Sequence, residues 1–98
     1  MASGRSRTVV GSFIGTGVLI TISKVGFKPR SVRLFNQDDA VFAEHIEGMA
    51  AASCAKQKAG TSSFVTTQAV TLTSTGFTVG TDTDLNVDSE RTWFVAAE

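Results

Sequence analysis

The chain has 98 residues and no formal net charge, and 42% of its residues are hydrophobic. That composition excludes a disordered chain, and the length suits a single domain with a core of modest size. The 13 Thr and 11 Val favour strands, because β-branched side chains are stiff and pack well on a pleated sheet. With nine Gly and one Pro, glycine must supply most of the turns.

The charges are unevenly spread along the chain. Residues 1–33 contain six basic side chains and no acid, whereas residues 34–98 contain all nine acids and three bases. Two interpretations stay open: a fold that brings the two signs together, or a basic surface that contacts an acidic partner or another copy of the chain. The second interpretation makes the six basic residues candidate interaction residues, namely Arg5, Arg7, Lys24, Lys28, Arg30 and Arg33.

The beginning of the chain predicts an arm followed by strands. Residues 1–8 are small, polar and basic, which is typical of a flexible N-terminal arm ahead of a domain over residues 9–98. Residues 9–14 and 18–23 predict two strands, with the glycine-rich residues 15–17 as the turn between them.

The middle of the chain predicts further strands and one ambiguous segment. Residues 31–36 and 40–46 alternate apolar and polar positions; Val32 and Leu34 share one face of the first. Residues 47–58 are rich in Ala, which favours helix, but glycines bound the segment and strands surround it. We favour an extended strand over residues 51–57 and keep a helix as the alternative.

The last third completes an all-β pattern. Strands are predicted at residues 64–67 and 70–74 (as one element or two), 76–79 and 91–96, with a loop at 81–86. About eight short strands at spacings near ten residues predict a single-domain antiparallel β-sandwich, jelly-roll-like in arrangement. The seven Phe and one Trp fall at about one per strand, which suits the core of a sandwich, with a minority as interface anchors.

The strongest candidate for a metal site is the acidic segment at residues 82–88. Asp82, Asp84, Asn86 and Asp88 alternate oxygen donors, which Ca²⁺ prefers. An EF-hand loop needs Gly at its sixth position and Glu at its twelfth, and those positions hold Val and Trp. We therefore favour a hairpin loop whose side chains bond to its own backbone. No metal site and no cofactor are predicted.

The single His45 and the single Cys54 do not predict catalysis. Glu44 and His45 are neighbours on a strand and so point to opposite faces, and structural zinc needs about four ligands. Cys54 cannot form an internal disulfide, which indicates a reducing compartment during assembly or no redox role. Without a nucleophile–base pair or a metal cluster, we expect a protein that is not an enzyme.

Membrane and nucleic-acid functions are also disfavoured. The apolar run at residues 9–22 is interrupted by glycines and is shorter than the ~20 residues of a membrane helix, and no secretory signal is visible. We expect a soluble protein made in the cytoplasm. Among the basic residues of the first third the only aromatic besides Phe13 is Phe27, which makes a poor platform for stacking bases.

Several segments resemble a group of small structural proteins of tailed bacteriophages. They are GFKPRSVRLFN, AVFAEHIEGMAAASC, TSSFVTT and GFTVGTDTDLNVDSERTWFVAAE, which together span about residues 26–97. In that group a Gly-Phe-x-Pro segment opens one strand, a Gly-Met pair follows, and an aromatic strand ends in Ala. Here those features are residues 26–29, 48–49 and 76–97. The resemblance implies a virion protein of the capsid surface, but the N-terminal third departs from the pattern.

Two functions follow from that resemblance, and a third is kept for contrast. The first is a capsid decoration or cement protein that binds the shell of major capsid protein, as a trimer or dimer, and stabilises the head. The second is a tail or fibre component that contacts a host surface or other tail proteins. The third, an enzyme, would require catalytic residues that the sequence does not offer.

Overall fold

The computed structural model describes residues 7–98; Arg5 and the rest of the predicted arm up to residue 6 lie outside the described residues. The described residues contain eight strands. They are β1 (Thr8–Ile14), β2 (Ile20–Ile22), β3 (Ser31–Asn36), β4 (Val41–Ile46), β5 (Ser53–Lys58), β6 (Thr61–Thr73), β7 (Gly76–Val79) and β8 (Arg91–Ala97). The strand prediction is confirmed, including the extended conformation of the ambiguous segment, where β5 lies.

All eight strands belong to one antiparallel sheet that curls, in the order β1-β8-β3-β4-β5-β6-β7-β2. The all-β class and the antiparallel pairing are therefore confirmed. The sandwich is not: hydrogen bonding joins the strands continuously, whereas a sandwich or jelly roll packs two separate sheets face to face. Alternating burial is the same in both architectures, because a curled sheet also buries one face, so the sequence pattern could not distinguish them.

The predicted hairpin between the first two strands is wrong. β1 and β2 lie at opposite edges of the sheet, β1 against β8 and β2 against β7. The link between them crosses the loop that follows β7, where Gly15 bonds with the backbone of Ser89 and Glu90. A side chain at Gly15 would collide with the backbone of Val87, with the nearest oxygen at 2.1 Å, so the crossing requires glycine.

The core lies on the inner, concave face of the curled sheet. Strands β3, β4 and β8 contribute alternate residues, as in β3, where Val32 and Leu34 are fully buried. The loops complete the core: Val25 and Phe27 from the β2–β3 loop and Leu85 from the β7–β8 loop are buried against it. The outer face remains in contact with solvent. Within residues 7–98, no helix is long and apolar enough to cross a membrane.

Candidate interaction surface

Four aromatic side chains lie on the outer face of the sheet, and we call them the outer aromatic face: Phe35, Phe42, Phe64 and Trp93. Strand register places Phe35 directly between Phe42 and Trp93, and the rings of Phe35 and Phe42 meet edge to face with centroids 5.7 Å apart. Phe42, Phe64 and Trp93 keep 51%, 75% and 43% of their surface exposed. Clustered apolar side chains of this size are typical of a binding surface. The prediction that aromatics mainly form the core therefore holds for only half of them.

A groove runs along this face across β4, β5 and β6. Its volume is about 480 Å³, and Phe42 and Phe64 line it together with Phe35. The small side chain of Ala55 leaves room between the rings. The remaining lining residues are polar: Arg33, Glu44, Lys56, Gln57, Ser62 and Ser63. An apolar groove with a few polar groups can bury a side chain or short segment of a partner and fix its orientation.

Further apolar side chains extend the outer face toward the β1 edge. Val10 and Ile14 on β1 are 68% and 45% exposed, and Val10 lies opposite Val95 in the register. Arg91 stacks over the ring of Trp93 at 5.6 Å from the ring centroid and also donates to the Ser12 hydroxyl at 2.6 Å. Exposed apolar side chains are therefore present on the outer face from β6 to the β1 edge.

The two charged side chains of the outer face beside the groove, Arg33 and Glu44, are paired. Arg33 Nε donates to Glu44 Oε2 at 3.0 Å across the β3–β4 register. Both side chains are well exposed, so the pair adds little to stability. Its effect is to leave the groove without a free charge next to the aromatic rings.

The basic residues of the first third do not form one patch. Arg7 makes a two-bond pair with Glu98 at 2.6 and 3.0 Å and stacks over the ring of Phe27. This pair raises the pKa of Arg7 and lowers that of Glu98, in both cases mainly through the hydrogen bonds.

The other candidate interaction residues lie on loops and strands at several places. Arg30 comes within 4.0 Å of Glu47. Lys24 and Lys28 are exposed on the β2–β3 loop and make no ion pair within residues 7–98. Arginines of residues 1–33 thus pair with acids of residues 34–98, so the fold brings the two signs together, as in the first interpretation of the charge pattern. A contact between this segment and a partner stays a prediction.

The acidic loop after β7 is fixed by two lysines of β5. Lys56 Nζ lies 3.1 Å from Asp82 Oδ2 and 2.7 Å from Asp84 Oδ2, and Lys58 Nζ reaches Asp84 Oδ1 at 2.7 Å. The hydrogen bonds from Lys56 and then Lys58 lower the pKa of Asp84. Burial lowers the pKa of Lys56, but its bonds to Asp84 and Asp82 outweigh this and the pKa is raised.

The loop also bonds to its own backbone, as predicted. Asp82 Oδ1 accepts the N–H groups of Asp84 and Leu85 at 2.9 and 3.1 Å. Within residues 7–98, no group of three or more acidic, His or Cys side chains is arranged to hold a metal. The cations beside Asp82 and Asp84 are the two lysines of β5.

Two buried asparagines hold the loops together, and of these the sequence pattern indicated only Asn86, as an oxygen donor of the acidic segment. Asn86 accepts the N–H groups of Thr16 and Gly17 through Oδ1 and donates through Nδ2 to the carbonyls of Val18 and Gly80. Asn36 donates to the Asp84 carbonyl and accepts from the turn after β3. A buried Asn that uses all its bonding capacity fixes the position of several segments at once. In sequence it is indistinguishable from a turn residue.

His45 and Cys54 lie inside the protein. His45 is 2% exposed, and its Nδ1 lies 2.7 Å from the carbonyl oxygen of Ser53, so Nδ1 carries the hydrogen. Glu44 points to the opposite face, as predicted. Burial, with a contribution from Asp82, raises the pKa of Cys54 to about 11, so the thiol is un-ionised at neutral pH. An un-ionised thiol is a poor nucleophile.

No protein family, no curated protein and no solved structure matches this chain. The described surface combines exposed rings, a groove between them, and a charged pair beside the groove.

Proposed function

We propose that this chain is a non-enzymatic structural protein that adheres to a protein partner through the outer aromatic face. The observation that carries the proposal is the exposure of Phe42, Phe64 and Trp93 around a groove. Large rings that remain in water on the outside of a folded sheet contribute little to its core. Aromatic side chains are, however, the commonest source of binding energy at protein interfaces.

A protein surface fits this face better than a nucleic acid does. Nucleic-acid binding requires free cations along the phosphate backbone. Arg33 beside the groove is already paired with Glu44, and Arg7 at the end of the sheet is paired with Glu98. The centre of a protein interface is instead depleted of charge and rich in aromatic residues.

We propose further that the partner is the shell of major capsid protein of a tailed bacteriophage, with the chain acting as a decoration or cement protein on the virion surface. The support is the resemblance over residues 26–97. This range contains all four residues of the outer aromatic face, namely Phe35, Phe42, Phe64 and Trp93. Each copy would bridge neighbouring capsid subunits. Many copies on one shell would then convert weak single contacts into strong overall reinforcement.

The test is binding to undecorated capsids, with Phe64→Ser as the variant and Val18→Ser as the matched control. Both positions are strongly exposed, at 75% and 63%, but Val18 lies on the β1–β2 link outside the groove. We expect Phe64→Ser to lose at least tenfold in affinity, because truncation of an interface anchor commonly costs 2 kcal/mol or more. Val18→Ser should bind as the unmodified protein does.

Capsid co-sedimentation followed by cryo-electron microscopy measures both the affinity and the contact surface. If the unmodified protein does not bind capsids at all, the proposal is wrong. If both variants bind equally well, adhesion uses another surface.

One observation favours a second candidate, a tail or fibre component that contacts a host surface. The groove combines aromatic walls with the polar side chains of Gln57, Ser62 and Ser63, a combination that also suits a sugar ring. Binding to host cells or their glycans, without binding to heads, would select this function over capsid decoration.

A further inference from the structure

Strand β1 forms one edge of the sheet with its outer side unpaired among the described residues. The Arg7 carbonyl accepts from Glu98 N–H, and Gly15 N–H donates to the Glu90 carbonyl. Odd-numbered residues of β1 therefore bond to β8. In an antiparallel ladder the alternate residues direct their backbone groups the other way. The even-numbered residues thus present free N–H and C=O groups at the edge: Thr8, Val10, Ser12 and Ile14.

This edge lacks the features that usually prevent a strand from pairing with another chain. β1 has seven residues in unbroken register with β8, and it contains no charged residue, no Pro and no bulge. The strand at the other end of the sheet, β2, has only three residues. The side chains beside the free edge of β1 are also apolar and exposed at Val10 and Ile14.

The sequence of β1 is self-complementary about Gly11. A second copy of β1 running antiparallel along this edge can place Thr8 opposite Ile14 and Val10 opposite Ser12. Each of these pairs joins two residues whose backbone groups both face the edge, so the seven-residue strands would form about eight hydrogen bonds between the copies. Val10 would also lie diagonally beside Val10 and Ile14 of the other copy.

We propose that two copies of this chain associate through their β1 edges, in the register centred on Gly11, to form one continuous sixteen-stranded sheet. We infer a second copy at this edge because β1 can pair with itself in a symmetric register. It also has no charged side chain that would require a partner of opposite charge. The two outer aromatic faces would then lie on a common surface, since the even-numbered side chains of β1 point to the outer side in both copies.

Two double variants test the register, and they differ only at residue 8. Thr8→Glu with Ile14→Glu places two carboxylates opposite each other at both ends of the paired strands. Thr8→Lys with Ile14→Glu places opposite charges there. Within one chain, position 14 lies opposite Arg91 in both variants, so the effect of the Ile14→Glu substitution on the monomer is matched. Sedimentation equilibrium over a concentration series measures the dimer dissociation constant.

The unmodified protein should be a dimer, and the Glu/Glu variant should dimerise at least tenfold more weakly than the Lys/Glu variant, because opposed like charges destabilise paired strands. A monomer at every concentration, a trimer or larger ring, or equal dissociation constants for the two variants would overturn the proposal. Circular dichroism confirms that each variant is folded.

A backbone variant provides the second measurement. The N–H of Val10 faces the edge, so Val10→Pro removes an inter-copy hydrogen bond without removing one to β8. We expect Val10→Pro to weaken the dimer at least tenfold while Val10→Thr does not. Equal dimerisation of the two would show that the copies meet elsewhere. These measurements contain no capsids, so their outcome is separate from that of capsid binding.

Discussion

Two aromatic pairs of nearly the same geometry lie on opposite faces of this sheet. Phe77 and Phe94 meet edge to face at 5.2 Å between centroids and are fully buried on the inner face. Phe35 and Phe42 meet in the same manner at 5.7 Å on the outer face, where half of Phe42 is in water. The geometry of an aromatic pair therefore does not show whether the pair belongs to the core or to the surface. The face of the strand on which the rings lie decides this.

The polar groups of the two faces differ in the same way. On the inner side, the side chains of Asn36 and Asn86 form hydrogen bonds with loops of the protein itself. On the outer side, Arg33 and Glu44 pair with each other at the surface, beside rings that have no internal partner above them. The inner face is complete within one chain, whereas the outer face has apolar surface that only another molecule can bury.

The largest expected difference between the faces is the cost of removing a ring. Phe94 is 1% exposed and packs against Phe77 and the backbone of Gly11. We expect Phe94→Ala to lower the free energy of unfolding by about 3–5 kcal/mol, through lost burial and a cavity. Phe42→Ala should cost about 1 kcal/mol, mainly the edge-to-face contact. Urea denaturation measures both, and equal losses would contradict the distinction between the faces.

A smaller effect is expected at the ionic cluster that fixes the acidic loop. Lys56 and both of its carboxylate partners are largely buried. Lys56→Met would leave Asp82 without its lysine, so we expect a loss of about 2 kcal/mol at pH 7. Lys58→Met, at a half-exposed position, should cost less. If the two losses are equal, burial is not what makes the cluster important.

The pH dependence of this cluster has a defined sign. The pKa of Asp84 is lowered in the folded protein, so its stabilisation is present above its unfolded pKa of about 4 and is lost as the pH falls through the lower folded value. The raised pKa of Lys56 acts in the opposite direction, and its stabilisation is lost as the pH rises above about 10.5. The difference between the unmodified protein and Lys56→Met should therefore be largest between these limits.

The strand pattern was predictable because it is local. Period-two alternation and turn residues placed β3 and β7 at their observed bounds and grouped Val32 and Leu34 on one face of β3. Pairing is not local. The glycines after β1 have the pattern of a hairpin turn. Instead, hydrogen bonds from the backbone of Thr16 and Gly17 to Asn86 hold this link against the loop that follows β7. The contact spans about 70 residues of sequence, and no local pattern encodes it.

The surface was less predictable than the fold, for a similar reason. Strand parity does separate Trp93 from Phe94, since neighbours on a strand point to opposite faces. Parity alone does not say which face curls inward, so the rings of Phe42 and Phe64 could not be assigned to the outside. The chemical weakness of the acidic loop as a calcium site was visible in the sequence, but the lysines that occupy it come from a distant strand.

The smallest expected effect concerns the charges beside the groove. Arg33 and Glu44 are 63% and 38% exposed, and exposed ion pairs contribute about 0–1 kcal/mol. We expect a double-mutant cycle with Arg33→Ala and Glu44→Ala to give a coupling of about 0.5 kcal/mol or less, decreasing further at high salt. A coupling well above 1 kcal/mol would mean that the outer face helps to hold the fold. It would then no longer be free to serve only as a contact surface, which is the distinction between the two faces on which the proposed function depends.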